Sequence, residues 1–240
     1  MKIRYILSSV ALASLSLTSC SDLDTAPEGN IITSDKKGEI LEEMPERGLA
    51  GVRAIFQGLS AYEPNNEAFG KIERHNDIGY PSVLMFTDAN TEDVVSDPNG
   101  YNWNGNSLDY SDRTYTSYES QMVWNDHYNA IYVANTVIKG YNTGEDPTNE
   151  EARFFYAQGL AARAYFYFNL AQLYQFTYKD NETKPCIPVV TDENTAKSQV
   201  EGTPCSTVEE TYTQIKSDID HAITLLEGTS YEREDKRYIS

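Results

Sequence analysis

Apolar residues return at three- and four-residue steps in four stretches of the chain, and each stretch predicts a helix with one greasy face. In the first, Leu41, Met44, Gly48, Val52, Ile55 and Leu59 form a single stripe across Ile31 to Tyr62. Pro45 lies inside it, and a proline there removes a backbone donor and crowds the preceding turn, so a kink or break is expected. In the second, Trp124, Tyr128, Ile131, Asn135 and Ile138 share one face of a helix from Tyr118 to Lys139. The third runs from Asn149 to Phe176 on Phe155, Gly159, Ala162, Phe166, Leu170 and Leu173. Its small residues Gly159, Ala161, Ala162 and Ala164 leave room for a neighbouring helix to come close. The fourth runs from Cys205 to Leu226, opens on a capping box at Ser206-Thr207-Val208-Glu209, and carries Val208, Tyr212, Ile215, Ile219, Ala222 and Leu226.

Between Glu63 and Ser117 the periodicity dissolves. Pro64, Gly70, Gly79 and Pro81 interrupt it, Pro98 to Gly105 is dense in Asn and Gly, and only Pro81 to Asp88 predicts a short helix. A loop region this long inside a compact domain is usually functional or poorly ordered. The expected fold class is therefore all-α in the main, a tetratricopeptide-like helical-hairpin array with long irregular loops. No clean repeat of about 34 residues is readable. After Gly228 the chain turns polar through Arg233-Glu234-Asp235-Lys236-Arg237 and reaches Ser240 without the capping helix such an array wants, so a truncated form is expected.

The first twenty residues follow a different pattern. Lys2 and Arg4 give a positive start, Ile6 to Leu17 is an apolar run, and Leu17-Thr18-Ser19-Cys20 closes it. A bilayer crossing needs roughly 20 apolar residues and this run is about 12, so it reads as a signal-peptide core. The closing tetrapeptide is a lipobox: the thiol of Cys20 accepts the diacylglycerol before cleavage, and paired acyl chains then hold the protein on a membrane. The expected organisation is a lipoprotein signal peptide over 1–19, a lipidated tether over 20–33, and a helical domain over 34–240.

Charge and cysteine count narrow the partners. The formal net charge is −18, and losing Lys2 and Arg4 makes it about −20, which repels nucleic acid and anionic lipid surfaces. Nucleic acid is excluded as a partner. Aromatics are 12 per cent of residues and 18 of them are tyrosine, a side chain that suits binding surfaces and helix packing alike. With Cys20 assigned to lipid, Cys186 and Cys205 remain. In an oxidising compartment an even pair is read as a disulfide, which would close a loop of about twenty residues and stabilise by roughly 3 kcal/mol.

Catalytic chemistry finds no support. Asp88, Glu92, Asp93 and Asp97 cluster, but an acidic run is ordinarily a solvated face. Asp88-Ala89-Asn90-Thr91-Glu92 starts like a calcium loop, yet Asp93 occupies the glycine position and Asn99 the twelfth. His75, His127 and His221 are scattered, so no metal site is expected, and no cofactor motif occurs. The chain reads as a binding protein and not an enzyme. Its best binding candidate is the loop Tyr101-Asn102-Trp103-Asn104, where rings stack on sugar faces and amides bond hydroxyls. Trp103 anchoring the loop onto the helices is the alternative, while Trp124 on its helical stripe is read as core.

Four stretches in order resemble the SusD/RagB family of outer-membrane nutrient-binding lipoproteins. They are the lipobox with Leu23-Asp24 and Pro27, the run Trp124-Asn125-Asp126-His127-Tyr128-Asn129-Ala130, the run Glu151-Ala152-Arg153 through Arg163-Ala164-Tyr165-Phe166, and Ile187-Pro188-Val189-Val190 with Thr207-Val208-Glu209-Glu210-Thr211-Tyr212. The resemblance covers nearly all of residues 20 to 230 and matches the family's N-terminal, tetratricopeptide-like half. It departs at Gln175, where a glycine is usual, and at Pro204-Cys205-Ser206, where a basic residue is usual. It implies a surface-exposed lipoprotein on the outer membrane that captures oligosaccharides for a TonB-dependent, SusC-like transporter. Peptide binding within the same family, and a helical scaffold without a small-molecule ligand, are the alternatives.

Overall fold

The computed structural model describes residues 34–57, 79–94, 102 and 104–230, all of them in one compact unit spanning Ser34–Ser240. Cys20, Tyr101 and Trp103 lie outside the described residues. Among the described residues eight helices follow in order: α1 Ser34–Glu43, α2 Gly48–Gln57, α3 Tyr80–Ala89, α4 Gly105–Leu108, α5 Tyr118–Tyr141, α6 Glu150–Tyr174, α7 Thr195–Glu201 and α8 Val208–Leu226. Among the described residues there is no strand, only an isolated antiparallel bridge between Pro185 and Thr207. The fold is all-α.

The first predicted helix is two. Pro45 starts a single 3-10 turn, Pro45–Arg47, and the chain re-enters a helix at Gly48. A Cβ at Gly48 would overlap the Tyr141 hydroxyl, which donates to the Pro45 carbonyl at 3.2 Å. The break is thus pinned from α5. Two short helices went unseen in the sequence, α4 and α7; neither is long enough to develop a periodic face. The capping box of α8 lies one residue later than expected. Thr207 accepts from the Glu210 amide at 3.1 Å and Glu210 accepts from the Thr207 amide at 2.7 Å, because the helix begins at Val208.

The frame is a layer of α5, α6 and α8, with α1 packed on α5 and α2 against both α5 and α6. Antiparallel α5 and α6 meet closely at Gly159, whose added Cβ would sit 3.1 Å from Ile138 and 3.2 Å from Val137. That is the close approach the small residues foretold. Side chains fully enclosed in this core include Ile131, Ile138, Phe154, Phe155, Phe166 and Leu170. A second, smaller cluster of Val83, Phe86, Met122 and Val123 docks α3 on the start of α5. The other end of α3 is held by Tyr80, whose ring packs near Phe166 and His127 and whose hydroxyl bonds that of Tyr165.

One cation sits inside this apolar frame. Arg163 of α6 is 4% exposed and grips Asp218 of α8 with two parallel bonds, Nε to Oδ2 at 2.7 Å and Nη2 to Oδ1 at 2.8 Å. Its Nη1 donates to Asn135 of α5 at 2.8 Å and to Asp192 at 2.9 Å. Burial by itself would lower the guanidinium's pKa, but the hydrogen bonds and charge of Asp218, then of Asp192, outweigh it and hold it above the usual range. Asn135 also donates to the Val190 carbonyl at 2.8 Å, while Tyr167 both donates to and accepts from Val190. Irregular chain from Ile187 to Asn194 is thereby strapped across the helix layer.

The cysteines do not form the expected disulfide: Cys186 and Cys205 are free thiols. Register gives the reason. Cys186 donates its amide to Ser206 at 2.7 Å, and Ser206 donates to Ile187 at 2.9 Å. Cys186 therefore faces Ser206 across this pairing, and Cys205 lies one position along. Cys186 is half-buried and Cys205 exposed.

Two outcomes follow from this packing. Arg163→Ala leaves Asp218 and Asp192 buried without a countercharge and is expected to cost about 3–5 kcal/mol of stability in urea unfolding; a loss under about 1 kcal/mol would contradict the role given to it. In a timed alkylation of the reduced protein, Cys205 reacts well before Cys186. Cys186 lags because it is half-buried and its thiol is pushed up, mainly by burial. Equal rates would contradict that difference in burial.

Candidate functional site

A cavity of about 1100 Å³ opens where the ends of α3, α5 and α6 meet the turn that precedes α5. Phe86, Thr87 and Asn90 line it from α3, Asp112 to Ser117 from the turn, Glu119 to Gln121 with Val123 and Trp124 from the first turns of α5, and Gln172 to Tyr174 from the end of α6. Small-molecule sites are commonly of this size and build.

Each wall has a local cause. Ser117 caps α5, accepting from the Ser120 amide at 3.1 Å, so the chain turns sharply into the helix beside the cavity. Tyr174 ties the last turn of α6 to the first of α5 by donating to the Ser120 carbonyl, and burial raises its pKa. Trp124 packs edge-on to Tyr174 at 5.1 Å and against Tyr128 at 4.7 Å. It is half-buried, resting on the core with part of its surface in the cavity lining. This modifies the purely core role its helical position suggested.

Asn90, the residue that ends α3, is the polar hub. It donates to Asp112 Oδ2 at 2.8 Å, and accepts from Arg113 twice, Nε to its side-chain oxygen and Nη2 to its carbonyl, both at 3.0 Å. The Arg113 guanidinium also lies 4.0 Å from the Tyr110 ring centre. Below it, Asn106 of α4 donates to Glu119 Oε1 at 3.1 Å. Asp112 is 7% exposed and Glu119 4%, and among the described residues Asp112 Oδ1 and Glu119 Oε2 have no donor. By contrast, the Tyr115 ring at the cavity is 97% exposed.

The candidate loop lies next to this site in sequence and does not line it in the described part. Asn102 has a positive φ of 49°, and its carbonyl accepts from Gly105 at 3.1 Å. The Asn104 carbonyl accepts from Ser107 and Leu108. Both asparagines thus start α4, whose Asn106 then reaches Glu119. Of the acidic cluster, Asp88, Glu92 and Asp93 are exposed, and Asp97 lies outside the described residues. Among the described residues, no three His, Cys, Asp or Glu come together as a metal site, and no helix is long and apolar enough to cross a membrane.

Sequence reasoning missed Asn90, Asp112, Arg113, Tyr115, Glu119, Gln121 and Gln172. The signal was thin: a polar, tyrosine-bearing turn, Tyr110-Ser111-Asp112-Arg113-Thr114-Tyr115-Thr116-Ser117, placed directly before a strong helix.

Known proteins were compared with the chain. A family model, SusD-like_3, described as starch-binding associating with outer membrane, matches residues 77–238, a span containing every residue that lines the cavity. No curated protein matches. A solved SusD-like carbohydrate binding protein from Bacteroides vulgatus is similar in fold, with a TM-score of 0.64, 23% identity, and 80% of this chain aligned to 37% of that one. A SusD superfamily protein from Bacteroides thetaiotaomicron aligns at a TM-score of 0.46 with 17% identity, over 77% of this chain and 37% of that one. The chain spans little more than a third of the length of either solved relative. With the matched span covering well over half its residues, the chain belongs to the SusD-like family.

Proposed function

We propose that this chain is the glycan-capture component of an outer-membrane uptake system. It holds an oligosaccharide in the cavity between α3, α5 and α6 and delivers it to a TonB-dependent, SusC-like transporter. The lipidated Cys20 of the lipobox anchors it to the outer membrane, facing outward.

The observation that carries the reading is the chemistry of the cavity wall. Trp124, Tyr174 and Tyr115 bring aromatic rings to the wall. Gln121 and Gln172 offer amides, and Thr87, Thr114 and Thr116 hydroxyls, that give or take hydrogen bonds. A sugar ring has that same division, one apolar face and a rim of hydroxyls. The family's description and the carbohydrate-binding label of the Bacteroides vulgatus structure support the ligand class. Recognition is the whole task in this reading; no bond in the glycan is broken.

Binding to an oligosaccharide array, followed by titration of the best ligand, tests it. Tyr115→Ala removes a ring with almost no packing role and is expected to weaken binding about tenfold, the order of one good ring contact, while leaving unfolding unchanged. Release of new reducing ends from the bound glycan would replace capture with hydrolysis. Silence across the array would leave the scaffold alternative standing.

A further inference from the structure

Resting on the glycan-capture reading and narrowing it, we infer that the cavity selects by charge: it takes neutral oligosaccharides and turns away those bearing carboxylate or sulfate groups.

The wall holds two carboxylates and one cation, and burial decides which sign the ligand meets. Asp112 and Glu119 are each more than nine-tenths buried, and the partners the structure gives their side chains are neutral amides, Asn90 and Asn106. One oxygen of each carboxylate has no donor among the described residues. Their charge lies at and just behind the cavity surface, in a medium that weakens it far less than water does. Among the described residues Arg113 is the one cation of the lining, and it is exposed to solvent. Its Nε and Nη2 are committed to Asn90, and its face to Tyr110. Water screens that charge, so it does not cancel the buried pair.

An acidic sugar entering this space sheds its own hydration beside two buried negative charges, and among the described residues the lining offers it in return only the solvent-screened guanidinium of Arg113. A neutral sugar brings only hydroxyls and sets no charge against the buried pair. The chain's net charge of −18 acts in the same direction at longer range.

Matched oligosaccharide pairs provide the experiment: galacto-oligosaccharides against oligogalacturonides of equal length, and neutral galactans against their sulfated forms. The full chain is expected to prefer the neutral member of each binding pair by at least about tenfold. Glu119→Gln and Asp112→Asn narrow the gap. Gln121→Lys, at an exposed point of the lining where folding is not at stake, raises affinity for the acidic member. Acidic members bound as tightly as neutral ones by the unaltered protein would overturn the inference while leaving capture intact, as would a gap that none of the three substitutions moves. Binding to neither class would overturn the capture reading and this one with it.

Discussion

A buried guanidinium demands partners, and the architecture is arranged around supplying them to Arg163. A single charge withdrawn from water costs several kcal/mol unless it is paired and fully hydrogen-bonded. Asp218 from α8, Asn135 from α5 and Asp192 from the strapped segment answer that demand from three directions. An outer ring steadies these groups in turn, Gln214 donating to Asp218 at 2.9 Å and Asn142 to Asp192 at 3.1 Å. Apolar packing alone would let α5, α6 and α8 slide by a turn at modest cost. Directional bonds to one fixed fork specify a single register for all three.

That register sets where α5 begins and α6 ends, and the cavity lies there. Once α6 is fixed, Tyr174 and Gln172 fall beside Ser120 and Glu119 across the end of the hairpin. The irregular turn from Asp109 to Ser117 closes the remaining side, latched through Asn90 to the end of α3. Binding surfaces are commonly built this way, with loops carrying the chemistry and a rigid layer carrying the loops. The division is visible here in the side chains: aliphatic and aromatic around the one Arg163 network where α5, α6 and α8 meet, and amides, hydroxyls and charges beside aromatic rings at the cavity.

Family membership agrees with this division. The matched span begins just before α3 and runs past α8, so it takes in the Arg163 frame and the cavity together. The shared fold with the Bacteroides vulgatus protein at 23% identity indicates that a frame of this kind tolerates wide sequence change. Cores accept many substitutions when volume and apolar patterning are kept.

By itself the sequence determined the long helices, the break at Pro45 and the close contact at Gly159, along with the family. Each of these depends on neighbours a few residues away, or on runs of motif in fixed order, which a linear reading can see. It placed Trp124 on the core stripe correctly and missed that its edge meets a cavity. It paired Cys186 with Cys205 by counting, whereas the bridge between Pro185 and Thr207 sets Cys186 opposite Ser206, and both thiols are free. It favoured Asn102 and Asn104, whose backbones start α4, over Asn90, Asp112 and Glu119. Only the tertiary structure decided these points. A polar residue's role depends on which distant groups desolvate or pair with it, and that proximity has no periodic trace along the chain.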